Sequence, residues 1–251
     1  MVIIKTAHDI ENMMEACRIS AGALRVARET IRPGVSTAYI DGEIRKYILS
    51  CGAKPTFLHY GGFPKNTCIS INEQVIHGIP DNETVIKDGD IVKVDVGAAK
   101  NGFTGDNAAT FPVGTVSDEA RKLIEVTKES LERGVAAALK GNRTGDIGHA
   151  VQSYVEQNGF SVVRDYVGHG VGHELHEDPE VPNYGLPGHG PRLMAGMTIA
   201  VEPMINAGNA AVRVLPDGWT VKTADGSLSA HYENSVLITN GEPEILTAPE
   251  E

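Results

Sequence analysis

The chain has 251 residues, 41% hydrophobic and 22% charged, which suits a buried core in one large domain or two fused halves and does not suit a disordered chain. Against 22 Lys and Arg stand 33 Asp and Glu, a formal net charge of -11 that works against direct, sequence-specific nucleic-acid binding, because such a surface repels a phosphate backbone. Three cysteines without CxxC spacing, an N-terminus without a signal-peptide pattern and no apolar run near about 18 residues lead to the expectation of a cytoplasmic protein with no membrane association.

Thr6, with Asp9 three positions on, has the form of a capping box, and Ile10, Met13, Cys17, Leu24 and Ile31 recur at roughly helical spacing before Pro33-Gly34. This predicts one long amphipathic helix. Ser36-Thr37 opens a second helix, with Ile40, Ile44 and Ile48 on one stripe and Gly52 closing it. From 67 to 113 the pattern turns to strands: Cys68-Ile69-Ser70-Ile71, then 90–96, then 108–113, with Asn101-Gly102 as a hairpin turn. The same order then recurs. A helix over 117–139 carries Leu123, Ile124, Leu131 and Val135, and another carries Ile147, Val151 and Val155 and stops at Asn158-Gly159. Strands are predicted at 160–164, 197–202, 219–223 and 232–239, with a Gly/Pro-rich irregular stretch at 178–196. The expectation is an α+β protein, 1–251 forming a single domain of two similar halves, about 1–113 and 117–251.

Asp95 lies inside the apolar run Ile91-Val92-Lys93-Val94-Asp95-Val96, where a carboxylate is costly to bury without a partner. With Asn101 and Gly102 as the central turn residues, Asp95 faces Ala108 and Asp106 faces Gly97, so both carboxylates share one face as diagonal neighbours about 7 to 8 Å apart. That pair is well placed to clasp cations, and Gly97 and Ala108 leave room for them. A surface hairpin with Asp106 in ordinary turn chemistry explains the same residues equally well. The segment Gly168-His169-Gly170-Val171-Gly172-His173-Glu174-Leu175-His176 holds three imidazoles and too much glycine for a stable helix, and its spacing is neither HExxH nor GxGxxG. His169 and His176 stand out because flanking glycine allows the backbone to approach a ligand closely, whereas His59, His149, His173 and His189 read as ordinary core or surface residues. Glu202 follows the apolar Thr198-Ile199-Ala200-Val201 and is held extended by Pro203. Glu233, by contrast, fits a solvated strand face. Four carboxylates with one or two imidazoles make a ligand mixture suited to two first-row divalent ions and to hydrolysis.

Several spaced motifs then occur in order: Asn72-Glu73-Gln74-Val75-Ile76-His77-Gly78-Ile79-Pro80, Lys93-Val94-Asp95-Val96-Gly97, Gly105-Asp106, Gly168-His169-Gly170-Val171-Gly172, His176-Glu177-Asp178-Pro179, Glu202-Pro203-Met204 and Tyr232-Glu233-Asn234. Together they resemble the type I methionine aminopeptidases, across essentially the whole chain. The resemblance implies a pita-bread fold: two pseudo-symmetric halves, each a helix pair on a curved antiparallel sheet, with the metal site between them. It implies two divalent ions, Mn, Fe, Co or Zn, held by Asp95, Asp106, His169, Glu202 and Glu233, with Asp106 and Glu233 bridging. Glu202, His176 and His77 take the catalytic roles, and Tyr60, Phe63, Cys68, His77, Leu175, His176 and Trp219 bind substrate. Phe63, His173 and Leu175 stand where many members carry Tyr, Arg and Phe, which changes the pocket and its rim and leaves the chemistry alone.

The implied activity is removal of the initiator methionine from nascent chains when the second residue is small. Partners would then be polypeptide N-termini bearing methionine and, transiently, the ribosome, with the enzyme itself a monomer. Two other readings compete: an Xaa-Pro aminopeptidase or prolidase-like peptidase of the same fold, and a metal-free module that reuses the fold for binding.

Overall fold

The computed structural model describes residues 2–248. Helix α1 (Ala7–Thr30) starts on the expected capping box: Thr6 Oγ1 accepts from Asp9 N, and Asp9 accepts from Thr6 N at 2.8 Å. Its buried face includes Met13, Cys17 and Ala23, and it lies directly on the strand carrying Gly105, where any Cβ would collide with the Cys17 backbone. Helix α2 (Thr37–Ser50) is capped by Ser36, whose side chain accepts from Tyr39 N, and buries Ile40, Ile44 and Ile48 completely.

The strands β1 (Lys54–Pro55), β2 (Cys68–Ile71), β3 (Gln74–Ile76), β4 (Ile91–Lys100) and β5 (Phe103–Pro112) complete the first half. β4 and β5 form a ten-rung antiparallel hairpin closed by Asn101 and Gly102 at φ 53° and 80°, the left-handed pair that a two-residue turn of matching twist requires. The ladder pairs Asp95 with Ala108 and Gly97 with Asp106, the register set by that turn. Both strands run further than expected. Small residues at 97–99 have weak strand preference alone, but the partner strand supplies the ladder that holds them.

In the second half, α3 (Asp118–Ala137) is capped by Ser117 and carries Asp118 and Glu119 in its first turn, next to the positive end of its dipole. α4 (Thr144–Gln157) buries Ile147, Val151 and Val155. The remaining strands are β6 (Ser161–Val162), β7 (Gly168–Gly170), β8 (Glu177–Val181), β9 (Thr198–Val201), β10 (Met204–Asn206), β11 (Val212–Val214), β12 (Val221–Thr223), β13 (Ser229–His231), β14 (Glu233–Leu237) and β15 (Glu244–Ile245). Among the described residues every strand pairing is antiparallel. The main sheet runs β1-β4-β5-β14-β9-β7-β8, with β15 on β14 and β2 on β4; two small sheets, β13-β10-β6 and β11-β12-β3, lie beside it. The architecture is the α+β pita-bread arrangement, and the two halves join where β14 pairs with β5.

Two expectations shift in detail. The stretch 178–196 is not wholly irregular, since β8 occupies its start; Pro179 is tolerated there because β8 is an edge strand, where a missing N–H leaves no partner unsatisfied. Trp219 precedes its strand instead of opening it, in a turn where Asp217 accepts from the Trp219 and Thr220 amides. No helix among the described residues is long and apolar enough to cross a membrane.

Candidate metal centre and substrate cavity

Three adjacent strands set out the acidic residues. Asp95 on β4 pairs with Ala108 on β5, and Ala108 pairs in turn with Glu233 on β14, so Asp95, Ala108 and Glu233 form one row on one face. Asp106 lies two residues from Ala108 on that face. Glu202 follows β9 immediately, one position past the Val201–Asn234 pair and so beside Glu233. The small Ala108 therefore sits among four carboxylates.

His169 enters from β7, between Gly168 and Gly170. A Cβ at either glycine would strike backbone oxygens, of Ala200 or of Asp178, so glycine lets β7 pack closely enough to project the imidazole inward. His169 Nδ1 lies 2.8 Å from the Gly170 carbonyl oxygen and donates to it, which leaves the Nε2 lone pair facing the carboxylates. Nε2 is 3.7 Å from Asp106 Oδ2 and 3.5 Å from Glu202 Oε1. One ligand atom each of Asp106, His169 and Glu233 lies within 4.8 Å of the others.

Asp95 Oδ1, Asp106 Oδ1 and Glu233 Oε1 are buried without a hydrogen-bond partner. Buried polar atoms are ordinarily paired, so three orphaned carboxylate oxygens on residues of one cavity fit a cation site, and carboxylates with a neutral imidazole are the donors that first-row divalent ions accept. Without such ions the charges oppose one another. Burial, reinforced by Asp95 and Glu202, holds Asp106 far above the usual carboxylate range; burial with Asp106, Glu202 and Asp95 does the same to Glu233. Burial raises Glu202 to about 8 and Asp95 to about 7, His231 opposing the shift at Asp95. Burial, with His176 adding to it, lowers His169 to about 3, so its ring is neutral.

A cavity of about 130 Å³ contains this cluster on one wall. All five residues expected to bind metal border it, together with Tyr60, Phe63, Cys68, His77, Leu175, His176 and Trp219. Phe57, Phe63, Cys68 and Leu175 form its buried apolar wall, and the Phe63 and Trp219 rings meet edge to face at 5.2 Å. His77 sits at φ 58° directly after β3, its ring edge-on to Trp219 at 6.4 Å, and burial lowers it to about 4. His176 is at the mouth, 2.7 Å through Nδ1 from Tyr60 Oη and with its ring 4.2 Å from that of His169. A larger cavity of about 520 Å³ between α1 and α3 is bordered by arginines and touches only Glu233 of this cluster.

The solvated reading of Glu233 fails: the residue is 3% exposed, because the β5 pairing turns its face toward the first half. His59, His149, His173 and His189 are exposed and border neither cavity, His173 lying on the Phe103 ring at 4.2 Å. Two residues of the site escaped the sequence reading. Phe57 lies in no periodic run. His231, 1% exposed with Nε2 3.6 Å from Glu202 Oε2 and neither ring nitrogen hydrogen-bonded, could have been found only from its position two residues before Glu233.

Comparison with known proteins agrees with this geometry. The sequence model of metallopeptidase family M24 matches residues 11–240. The chain is 53% identical to a methionine aminopeptidase of Clostridium acetobutylicum over 98% of its own length and 99% of that protein's. A crystal structure of methionine aminopeptidase from Thermotoga maritima superposes with a TM-score of 0.97 at 48% identity, covering 98% of this chain and 99% of the other. The prolidase of Pyrococcus furiosus shares the fold at a TM-score of 0.79 and 28% identity, but the match takes in only 66% of that longer chain.

Proposed function

The chain belongs to metallopeptidase family M24 and, within it, to the type I methionine aminopeptidases, and on that premise we propose that its removal of N-terminal methionine runs in the cavity between its two halves. The observation that carries this placement is the meeting of four carboxylates and one imidazole, drawn from both halves, opposite a small apolar wall. Because each half supplies ligands, 1–251 acts as one catalytic domain.

A divalent metal belongs to this family's chemistry; when bound, two such ions supply an acidified water and a Lewis acid for the peptide carbonyl. Asp95, Asp106, His169, Glu202 and Glu233 would hold them, with Asp106 and Glu233 as the shared pair, and Mn(II), Fe(II), Co(II) and Zn(II) all suit these donors. Glu202 takes a proton from the attacking water and returns it to the departing amine. With the Tyr60 hydroxyl donating to His176 Nδ1, the other ring nitrogen carries a proton to donate to the oxygen on which charge develops. His77, neutral in its apolar setting, hydrogen-bonds the scissile amide. The methionine side chain packs on Phe57, Phe63, Cys68, Leu175 and Trp219, where a polarizable thioether meets ring edges.

Substrates are polypeptide N-termini bearing methionine. We further place the enzyme in the cytoplasm, as a monomer in transient contact with the ribosome; its free Cys17, Cys51 and Cys68 suit a reducing compartment. A peptide panel tests the assignment. Met-Ala-Ser is cut, Met-Leu-Ser is cut about 100-fold more slowly because a bulky second residue displaces the carbonyl, and N-acetyl-Met-Ala-Ser is not cut. Faster cleavage of Ala-Pro or Arg-Pro peptides than of Met-Ala-Ser would transfer the activity to the Xaa-Pro peptidases.

A further inference from the structure

Lys93 is 1% exposed and lies on β4 two residues before Asp95. Its amine nitrogen donates to two backbone carbonyls, Asn72 O at 2.7 Å and Ser229 O at 2.9 Å; burial lowers it to about 7, opposed only through space by Glu73 and Asp90. A buried lysine amine without a hydrogen-bonded carboxylate is unusual, and the two carbonyls it joins come from opposite halves of the chain.

Each carbonyl leads to a residue of the site. Asn72, at φ 52°, makes the turn between β2 and β3, and its backbone and side chain are both bonded to Ile91 at the start of β4. β3 continues into His77. Ser229 opens β13, which runs through His231 and Tyr232 into Glu233. On the neighbouring strand Thr110, paired with Lys93 in the ladder, accepts from His231 N at 3.0 Å and donates to His231 O at 2.7 Å. Lys93 and Thr110 thus fasten both ends of β13 to the hairpin that carries Asp95 and Asp106.

We infer that Lys93 is a positioning residue: by bonding Asn72 and Ser229 at once, it holds His77 and Glu233 in register with Asp95 across the joint between the halves. The inference rests on the site reading above. An apolar side chain of the same length would leave the Ser229 carbonyl buried without this donor, and at that end of β13 only the bond from Ser229 N to Asn72 O, 3.1 Å, would still cross the joint.

The test uses the full chain, with wild type measured alongside. Lys93→Met keeps an unbranched stem and loses the N–H donors. Its metal-free form should bind Mn(II) roughly 10-fold more weakly by calorimetry, and kcat on Met-Ala-Ser should fall by more than KM rises. In Lys93→Ala, n-propylammonium replaces the deleted atoms and should restore Mn(II) affinity and turnover, whereas tetramethylammonium, which has the charge but no N–H, should not. Wild-type Mn(II) affinity and turnover in Lys93→Met overturn the inference, as does rescue of Lys93→Ala by tetramethylammonium. Should Lys93→Met not fold, Lys93→Ala decides, and absence of recovery by propylammonium overturns it. A wild-type protein that neither binds Mn(II) nor cuts Met-Ala-Ser counts against the site reading instead.

Discussion

Loading metal into the metal-free protein should expel protons, in a number that the acidic cluster sets. In the metal-free protein at pH 7, Glu202 at about 8 is mostly protonated and Asp95 at about 7 is half so, while burial and the neighbouring carboxylates raise Asp106 and Glu233 as well. His169, lowered to about 3, is already neutral and releases nothing. Metal binding needs the carboxylates ionised, so filling the site should release more than about one proton at pH 7 from Glu202 and Asp95 alone, more at pH 5.5 and fewer at pH 9. These protons belong to the cluster as a whole, because the four groups titrate against one another. The assay is calorimetric titration with Mn(II) in buffers of different ionisation enthalpy, whose slope counts protons directly. Glu233→Gln should lower the count, since an amide has no proton to release. Release of less than one proton between pH 6 and 8 would show that the carboxylates are ionised before metal arrives, and the reasoning from burial would fall.

The same shifts give the metal-free protein a humped pH–stability profile. The raised carboxylates contribute stability that is complete below their unfolded values near 4 and is lost as pH rises through about 7 to 8. His77, His169 and His231, lowered to about 4, 3 and 4, contribute stability present above their unfolded value and lost as pH falls toward those values. The two windows overlap and largely offset one another between about pH 4 and 6.5, so thermal melts without metal should be highest there, decline as pH rises through about 7 to 8, and lose that decline in saturating Mn(II); an unchanged profile with metal contradicts this account. Glu202→Gln should lower kcat on Met-Ala-Ser by at least about 100-fold at verified metal occupancy, and near-normal turnover would remove Glu202 from proton transfer. His176→Ala should reduce kcat more than it raises KM, because the bond it makes strengthens as charge develops; a change confined to KM would make it a binding residue only. Ile44→Ala, in the fully buried stripe of α2, should cost about 2 to 5 kcal/mol in denaturant unfolding with KM unchanged; a cost below ~1 kcal/mol would mean that the core refills the space.

What the sequence determines alone is what neighbours along the chain can settle. Thr6 and Asp9 close the capping box of α1 within one helical turn, and the Ile40, Ile44 and Ile48 stripe defines a face before anything packs on it. Asn101-Gly102 imposes a turn, the turn imposes the β4–β5 register, and Asp95 and Asp106 reach the same face by counting alone. The spaced motifs likewise identify the family. Glu233 lacks that local determination. Its own strand looks solvated, and only the pairing with Ala108, across more than a hundred residues of chain, buries it beside the other carboxylates. His231, Phe57 and Lys93 are likewise not set locally: His231 lies on the three-residue β13, too short for any periodic signal, Phe57 in a bend after β1, and Lys93 in β4, whose local pattern does not show that its side chain meets Ser229 of the other half. Local backbone preferences and side-chain periodicity act over a few residues. The electrostatic field of the site is a sum over groups that become neighbours only when the two halves close, and that sum exists only in the folded chain.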